Sequence, residues 1–255
     1  MGKPEAPPQG SGLAVQRQRE AGMRLTLRRR RGLGGSARAG QDDAMRAALC
    51  LLLLLTSGGA LAAEPGLGSW RYRIHHQLFG EIGEHRMSVT RAGAAIVVEH
   101  DAELAVKILG LMTFQRHTRL REVWRDERLI ELDGLVEDNG EGFPVAARAE
   151  GDRLIIVGPA GRAEAPPGTR PSEPSLEFAI RRDWFVDSRT GKLLRAQVTP
   201  AGREPLKLGA AVVDAARYEI ATDPAQQVWF DAAGVWVQWR LWRQGAAITL
   251  TREAG

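Results

Sequence analysis

From Trp70 to Thr251, apolar side chains recur at every second position in run after run, a spacing that buries one face of a β-strand and suits no helix. In the first run Tyr72, Ile74, His76 and Leu78 share a side, while Arg71, Arg73, His75 and Gln77 take the other. A turn through Phe79-Gly80-Glu81-Ile82-Gly83 reverses the chain, and His85, Met87 and Val89 continue the pattern, which predicts a hairpin. Ala94 to Leu109 extends the alternation beyond the length of an average strand. There Ile96, Val98, His100, Ala102, Leu104, Val106 and Ile108 face one way, and Glu99, Asp101, Glu103 and Lys107 the other. Strands this long suit a barrel or a strongly curved sheet.

The return run turns Met112, Phe114, Leu120 and Trp124 to one face, which Arg116 and Thr118 interrupt. Arg125-Asp126-Glu127-Arg128 and Asp138-Asn139-Gly140 read as polar turns, the Asn-Gly pair suiting positive φ. Ile130, Leu132 and Val136 lie between them, and Phe143, Val145, Ala147 and Ala149 pair with Leu154 and Ile156 beyond. Five prolines between Gly158 and Pro174 rule out a central strand. Ser175 is placed to cap a short helix from Leu176, with Ile180 and Trp184 on one face, although Trp184-Phe185-Val186 is also strand material. Strands resume at Lys192, with turns expected at Thr199 to Gly202, Asp231 to Gly234 and Arg243 to Gly245. In the run to Trp242, Val237, Trp239 and Leu241 take one side and Trp236 and Trp242 the other, so both faces carry apolar area. The expected fold class is all-β: a long antiparallel meander forming a half-open or closed barrel, with residues 158–187 as a loop and helix insert.

Ahead of this domain, Met45 to Ala63 has the form of an export signal, with Arg46, an apolar run from Ala47 to Leu55, and a small-x-small site at Ala60-Leu61-Ala62. The run is about half the roughly 20 residues that a membrane-spanning helix needs. Cleavage is expected around Ala60, Ala62 and Ala63, by a Sec-type route to the periplasm, with membrane contact only through the leader before it is removed. Residues 1–44 have no periodic apolar pattern and read as a disordered, non-native upstream extension; 63–255 read as a single domain. Ten of the 35 basic residues and four of the 31 acidic ones precede Ala63, so the domain itself carries 25 and 27 and is slightly acidic. That excludes the basic footprint of a nucleic-acid binder. The one cysteine, Cys50, lies in the leader, so thiol catalysis, thiolate metal sites and disulfides are excluded from the domain. About 190 residues suffice to bury a core without them.

Ile82-Gly83-Glu84-His85, Glu122-Val123-Trp124-Arg125-Asp126, Asn139-Gly140, Thr190-Gly191, and Trp229-Phe230-Asp231 with Gly234-Val235-Trp236 together resemble a family of exported proteobacterial proteins known as a domain of unknown function. The resemblance covers nearly all of the chain after the leader and implies a scaffold with no catalytic residue attached. A meander broken by a Pro-rich segment and a short helix is also similar to the periplasmic lipoprotein-carrier fold, an unclosed barrel that holds acyl chains. This is an analogy of fold, and a fold does not by itself transmit function.

All five histidines, His75, His76, His85, His100 and His117, fall in the first strands, but without H-x-H or HExxH spacing, so no metal site is assigned. No serine stands in a G-x-S-x-G elbow. Glu99 with Asp101, and Glu131 with Asp133, have the i, i+2 spacing of an acid/base pair, yet a solvated strand face accounts for them. No catalytic residue and no cofactor is expected. The ligand-binding candidates are aromatic: Trp124, Trp184, Trp229, Trp236, Trp239, Trp242 and Phe114, which can close over acyl chains or fill the core of a curved sheet. The sequence thus points to an exported binding protein whose concave β face takes an apolar or amphipathic envelope ligand, with residues 158–187 as a flap. Its rivals are an envelope interaction or assembly protein without a cavity, and a hydrolase.

Overall fold

A computed structural model describes residues 65–108 and 110–254, the side chains of Ile108 and Leu111 excepted. Cys50 and the positions expected to form the upstream extension, the export signal and its cleavage site lie outside the described residues. The first eight strands are β1 (Gly68–His76), β2 (Gly80–Ala92), β3 (Ala95–Ile108), β4 (Leu111–Arg125), β5 (Arg128–Asp138), β6 (Glu141–Glu150), β7 (Arg153–Gly158) and β8 (Gly161–Ala165). After β9 (Arg170–Pro171) comes a helical turn, α1 (Glu177–Ile180), then β10 (Trp184–Val186) and β11 (Leu193–Arg195). The chain ends with β12 (Gln197–Leu208), β13 (Ala211–Ala221), β14 (Gln226–Phe230), β15 (Trp236–Arg243) and β16 (Ala246–Arg252).

Thirteen strands form one antiparallel sheet in the order β12-β13-β14-β15-β16-β1-β2-β3-β4-β5-β6-β7-β8. The last strand returns to the first, with Tyr72 opposite Arg252. Since β8 and β12 are its two edges, the hydrogen-bond ladder does not close, and the barrel is the half-open form. Bulges curl it, at Ile74/His75, Val106/Lys107, Val123/Trp124 and Trp229/Phe230, because an extra residue on one strand bends it and increases its twist. As a result Tyr72, Leu132, Ile156, Phe230 and Leu250, from strands far apart in the sheet, share one buried cluster. The Asp138-Asn139-Gly140 turn has the expected positive φ angles, 50° at Asn139 and 87° at Gly140.

The second sheet, β11-β10-β9, belongs to the insert and joins the same core. Leu176, Ile180, Phe185 and Val186 are buried in the main cluster, and the Phe178 ring meets that of Trp124 edge-on at 5.2 Å. Glu177 N donates to Gly234 O at 2.9 Å, and Ala160 N to Thr190 O at 2.8 Å, so the insert is tied to the barrel on two sides. Residues 158–187 are therefore part of the wall, with buried apolar side chains that a loose flap would not have. Packing is dense at the end where α1 sits and gives way to open space at the other.

Several expectations are corrected. The helix is a single turn, Ser175 Oγ caps nothing and has no hydrogen-bond partner, and Trp184 falls in β10. The expectation that the prolines exclude a central strand holds: β8, bracketed by Pro159 and Pro166, is an edge of the large sheet, and β9 is an edge of the small one. Thr199 to Gly202 is not a turn but a bulge inside β12, and the reversal comes at Gly209-Ala210. Trp236 and Trp239 do not oppose one another: Val237 is the extra residue of the Trp229/Phe230 bulge, and both indoles turn toward the main core, 6.4 Å apart.

Candidate functional site

At the open end a cavity of about 990 Å³ lies between β1–β5, β15–β16 and the insert. Strand alternation supplies its apolar wall, with Leu104 and Val106 from β3, Phe114 from β4, Val136 from β5 and Ile248 from β16. Ile82 reaches the same space because it is the unpaired residue of the β1–β2 bulge. Beside it Gly83 carries no side chain, and a Cβ there would collide with Glu103 O and lie 2.7 Å from Leu104 Cα. The volume is at the upper end of those typical of small-molecule sites, about 300–1,000 Å³.

The polar part of the cavity is built where β4 and β5 meet the insert. Arg116 donates from Nε and Nη2 to the two oxygens of Asp138 at 2.5 and 2.8 Å, and Arg189 Nε donates to Oδ2 at 2.7 Å. The Arg116 hydrogen bond is the main reason the Asp138 carboxyl is held below the usual carboxylate range, against a burial penalty. Arg189 lies 3.9 Å over the Phe143 ring, which fixes the insert against β6. Glu173 also faces the cavity; Ser172 Oγ donates to its Oε2 at 2.9 Å, and Ser188 Oγ donates to the same oxygen. Part of the residue stays accessible, yet its carboxyl is enclosed by protein, and burial raises its pKa. An apolar wall with a few convergent polar groups can orient an amphipathic molecule.

Deeper in the packed end runs a second polar arrangement. Trp124 Nε1 can only donate, and it does so to Glu122 Oε2 at 2.7 Å. Glu122 Oε1 lies 3.0 Å from His100 Nε2, and His100 Nδ1 lies 3.0 Å from His85 Nε2. With His100 Nε2 donating to Glu122, Nδ1 is left to accept from His85. Burial, then His100, holds the His85 pKa well below the ordinary imidazole value. Nearby, Arg170 is buried, donates from Nη1 to Pro171 O at 2.8 Å, stands over the Phe185 ring, and leaves Nε without a partner. Burial pushes its pKa down to about 10, with Glu173 and Glu122 acting against the shift. Tyr72 stacks on Trp236 at 3.6 Å and donates to Trp236 O at 2.9 Å, closing the cluster above His85. His85, His100 and Glu122 do not line the inner cavity.

Of the aromatic candidates, Phe114 and Trp242 line the cavity. Trp124 and Trp236 are fully buried in the packed end, and Trp239 packs against the same core while donating to Gln226 Oε1. Trp229 lies on the sheet's other face in a separate cluster with Leu208, Ala215 and Val237, and donates to Glu204 Oε1 at 2.6 Å. Trp184 is on the outer side of the small sheet, with Arg195 over its ring. The structure does not assemble these six indoles into one wall. Glu122 was missed, though its signal was in the sequence: a carboxylate in step with Leu120 and Trp124 on an inward face. Arg116 and Thr118, read as interruptions of that face, line the cavity.

The outward face of β2–β6 is laced with ion pairs, among them Arg121–Glu131 at 2.7 Å and Arg148–Asp133 at 2.8 Å, which accounts for the paired carboxylates. A depression of about 830 Å³ on this face is walled by such side chains. Asp101, Glu103 and His117 bring ligand atoms within 4.8 Å of each other there, but His117 Nε2 is already bonded to Asp101 Oδ1 at 2.9 Å.

No curated protein matches the chain. The crystal structure of a beta-barrel-like protein of domain of unknown function DUF1849 from Brucella abortus is similar to it, with a TM-score of 0.56, 7% identity, and coverage of 75% of this chain and 97% of that one. At that identity the likeness shows the fold alone. The model of the family described as domain of unknown function DUF6134 matches residues 78–253, more than half of the chain. The chain therefore belongs to that all-β, barrel-like family.

Proposed function

We propose that this is an exported periplasmic protein that binds an apolar or amphipathic envelope molecule inside the open end of its barrel. The observation that carries the reading is the cavity of about 990 Å³, in which Leu104, Val106, Phe114 and Ile248 offer an acyl-sized apolar wall. At its polar side, Arg116 and Asp138 of the large sheet are bonded to one another and to Arg189, and this group is able to fix a head group. The export signal at Met45 to Ala63 supplies the compartment. The His85–His100–Glu122 chain is read as a structural element, since its side chains are enclosed by core and set apart from the cavity.

Native mass spectrometry of the protein expressed with its leader and purified without detergent tests this. The reading expects a fraction carrying one adduct of lipid or fatty-acid mass that organic extraction removes. A homogeneous unliganded mass, with no uptake of added fatty acid or lysophospholipid, would contradict it.

A further inference from the structure

We propose that the open end of the barrel docks on the surface of a phospholipid bilayer, with Leu78, Phe79, Met112 and Trp242 entering its interfacial layer. This rests on the cavity reading above, and it places membrane contact in the folded domain as well as in the leader. Because the strands alternate in direction, the β15–β16, β1–β2 and β3–β4 turns lie side by side at that end. They are three neighbouring turns at that end, with the β2–β3 turn at the opposite end. Leu78 is 72% exposed, Phe79 45%, Met112 50% and Trp242 38%, four of the nine large apolar side chains exposed among the described residues. Phe79 and Trp242 also line the cavity, so two of the four exposed apolar side chains are shared with its wall.

The tips are held out. Gln77 N donates to Ala247 O at 2.9 Å, Ala247 N donates back to Gln77 Oε1 at 3.0 Å, and Leu78 N donates to His76 Nδ1 at 3.1 Å. The β1–β2 turn is thereby fixed to the β15–β16 hairpin, with its leucine pointing away from any core. Single apolar side chains on separate turns make a poor flat protein interface, but each can enter a fluid interface independently. A protein cap over the mouth would seal the cavity, whereas a bilayer offers an apolar phase continuous with it, through which an acyl chain can pass without crossing water. Lys107, Arg243 and Gln244 stand exposed beside the tips at head-group height. Glu141 and Asp223 on neighbouring turns balance the two cations, so apolar insertion, and not attraction to anionic lipid, is the driving force proposed.

The test uses the protein exported with its leader and processed, which on this account carries no native cysteine, with one introduced cysteine carrying an environment-sensitive fluorophore, at Leu78→Cys or, as control, at Val212→Cys. Val212 is 63% exposed at the opposite end of the barrel. With phosphatidylcholine vesicles, the label at 78 is expected to shift to the blue and to be quenched by spin-labelled lipid, in 0.5 M salt as in low salt, while the label at 212 keeps its emission in water. Leu78→Asp with Met112→Asp, neither of which lines the cavity, is expected to lower the bound fraction at least tenfold and to leave uptake of free fatty acid unchanged. Equal response at both labels, or none at 78, would overturn the docking proposal. Loss of fatty-acid uptake with insertion intact would instead overturn the cavity reading.

Discussion

Replacing Glu122 by alanine should be among the most destabilising single changes in the domain. Its two oxygens take hydrogen bonds from Trp124 Nε1 and His100 Nε2, and the side chains of Glu122 and His100 are almost completely buried. Alanine removes both acceptors and leaves two donors where water does not reach, at about 1–3 kcal/mol for each. It also opens a void beneath Trp124. Together the two orphaned donors and the void cost about 3–5 kcal/mol, a large share of a typical stability of about 5–15 kcal/mol. For a domain of this size that corresponds to a fall in Tm of about 6–20 °C. Glu122→Gln keeps one acceptor and should cost about 1–2 kcal/mol, roughly one hydrogen bond. Urea unfolding followed by tryptophan fluorescence, with the m-value checked for constancy, measures both. A cost for Glu122→Ala below about 1 kcal/mol, or equal costs for the two variants, would refute the view that the carboxylate organises this end of the core.

Protonation offers an independent check on the same cluster, which contains His85, His100, Glu122, Tyr72 and Arg170, with Glu173 beside it at the cavity. His85 has a depressed folded pKa, so below about pH 6.5 the unfolded chain binds the proton more readily, and stability is lost as pH falls. The urea midpoint should drop between pH 7 and pH 5, and drop less in His85→Phe. Glu173 acts in the opposite sense: its folded pKa is raised, so what its protonated form contributes is present below about pH 4.5 and lost as pH rises through the folded value. Glu173→Gln should therefore gain stability at pH 7 relative to pH 4. Gly83→Ala should cost about 1–3 kcal/mol in thermal unfolding, because the new methyl meets strand backbone and not a movable side chain. Trp124→Ala should cost about 3–5 kcal/mol, whereas Trp242→Ala should change stability little and weaken ligand uptake. In the periplasmic fraction, the intact mass should place the N-terminus near Ala63.

The strands were legible because each inward position repeats at two, and Tyr72, Met87, Val98, Leu132 and Val145 are buried as their parity requires. What parity does not carry is the bulge. One extra residue at Val237 turns Trp236 and Trp239 to the same side, and one at Ile82 brings that side chain into the cavity wall. The insert was harder, since five prolines announce irregular chain but say nothing of where Arg170, Glu173 or Arg189 will point. Those contacts are long-range, such as Arg189 with Asp138. Tryptophan type alone did not separate cavity from core either, because an indole at Trp124 fills volume and satisfies a buried carboxylate, while one at Trp242 stands at an opening.

The hollow end of the barrel is tested most directly by titrating the protein with a dansyl-labelled eleven-carbon fatty acid, beside a variant, Leu104→Trp, whose larger side chain fills the cavity. The account predicts saturable binding of one probe per chain with enhanced emission, and at least tenfold weaker binding in the variant at a Tm within a few degrees of the parent. Absence of saturable binding to the parent, or equal binding to the filled variant, would contradict it.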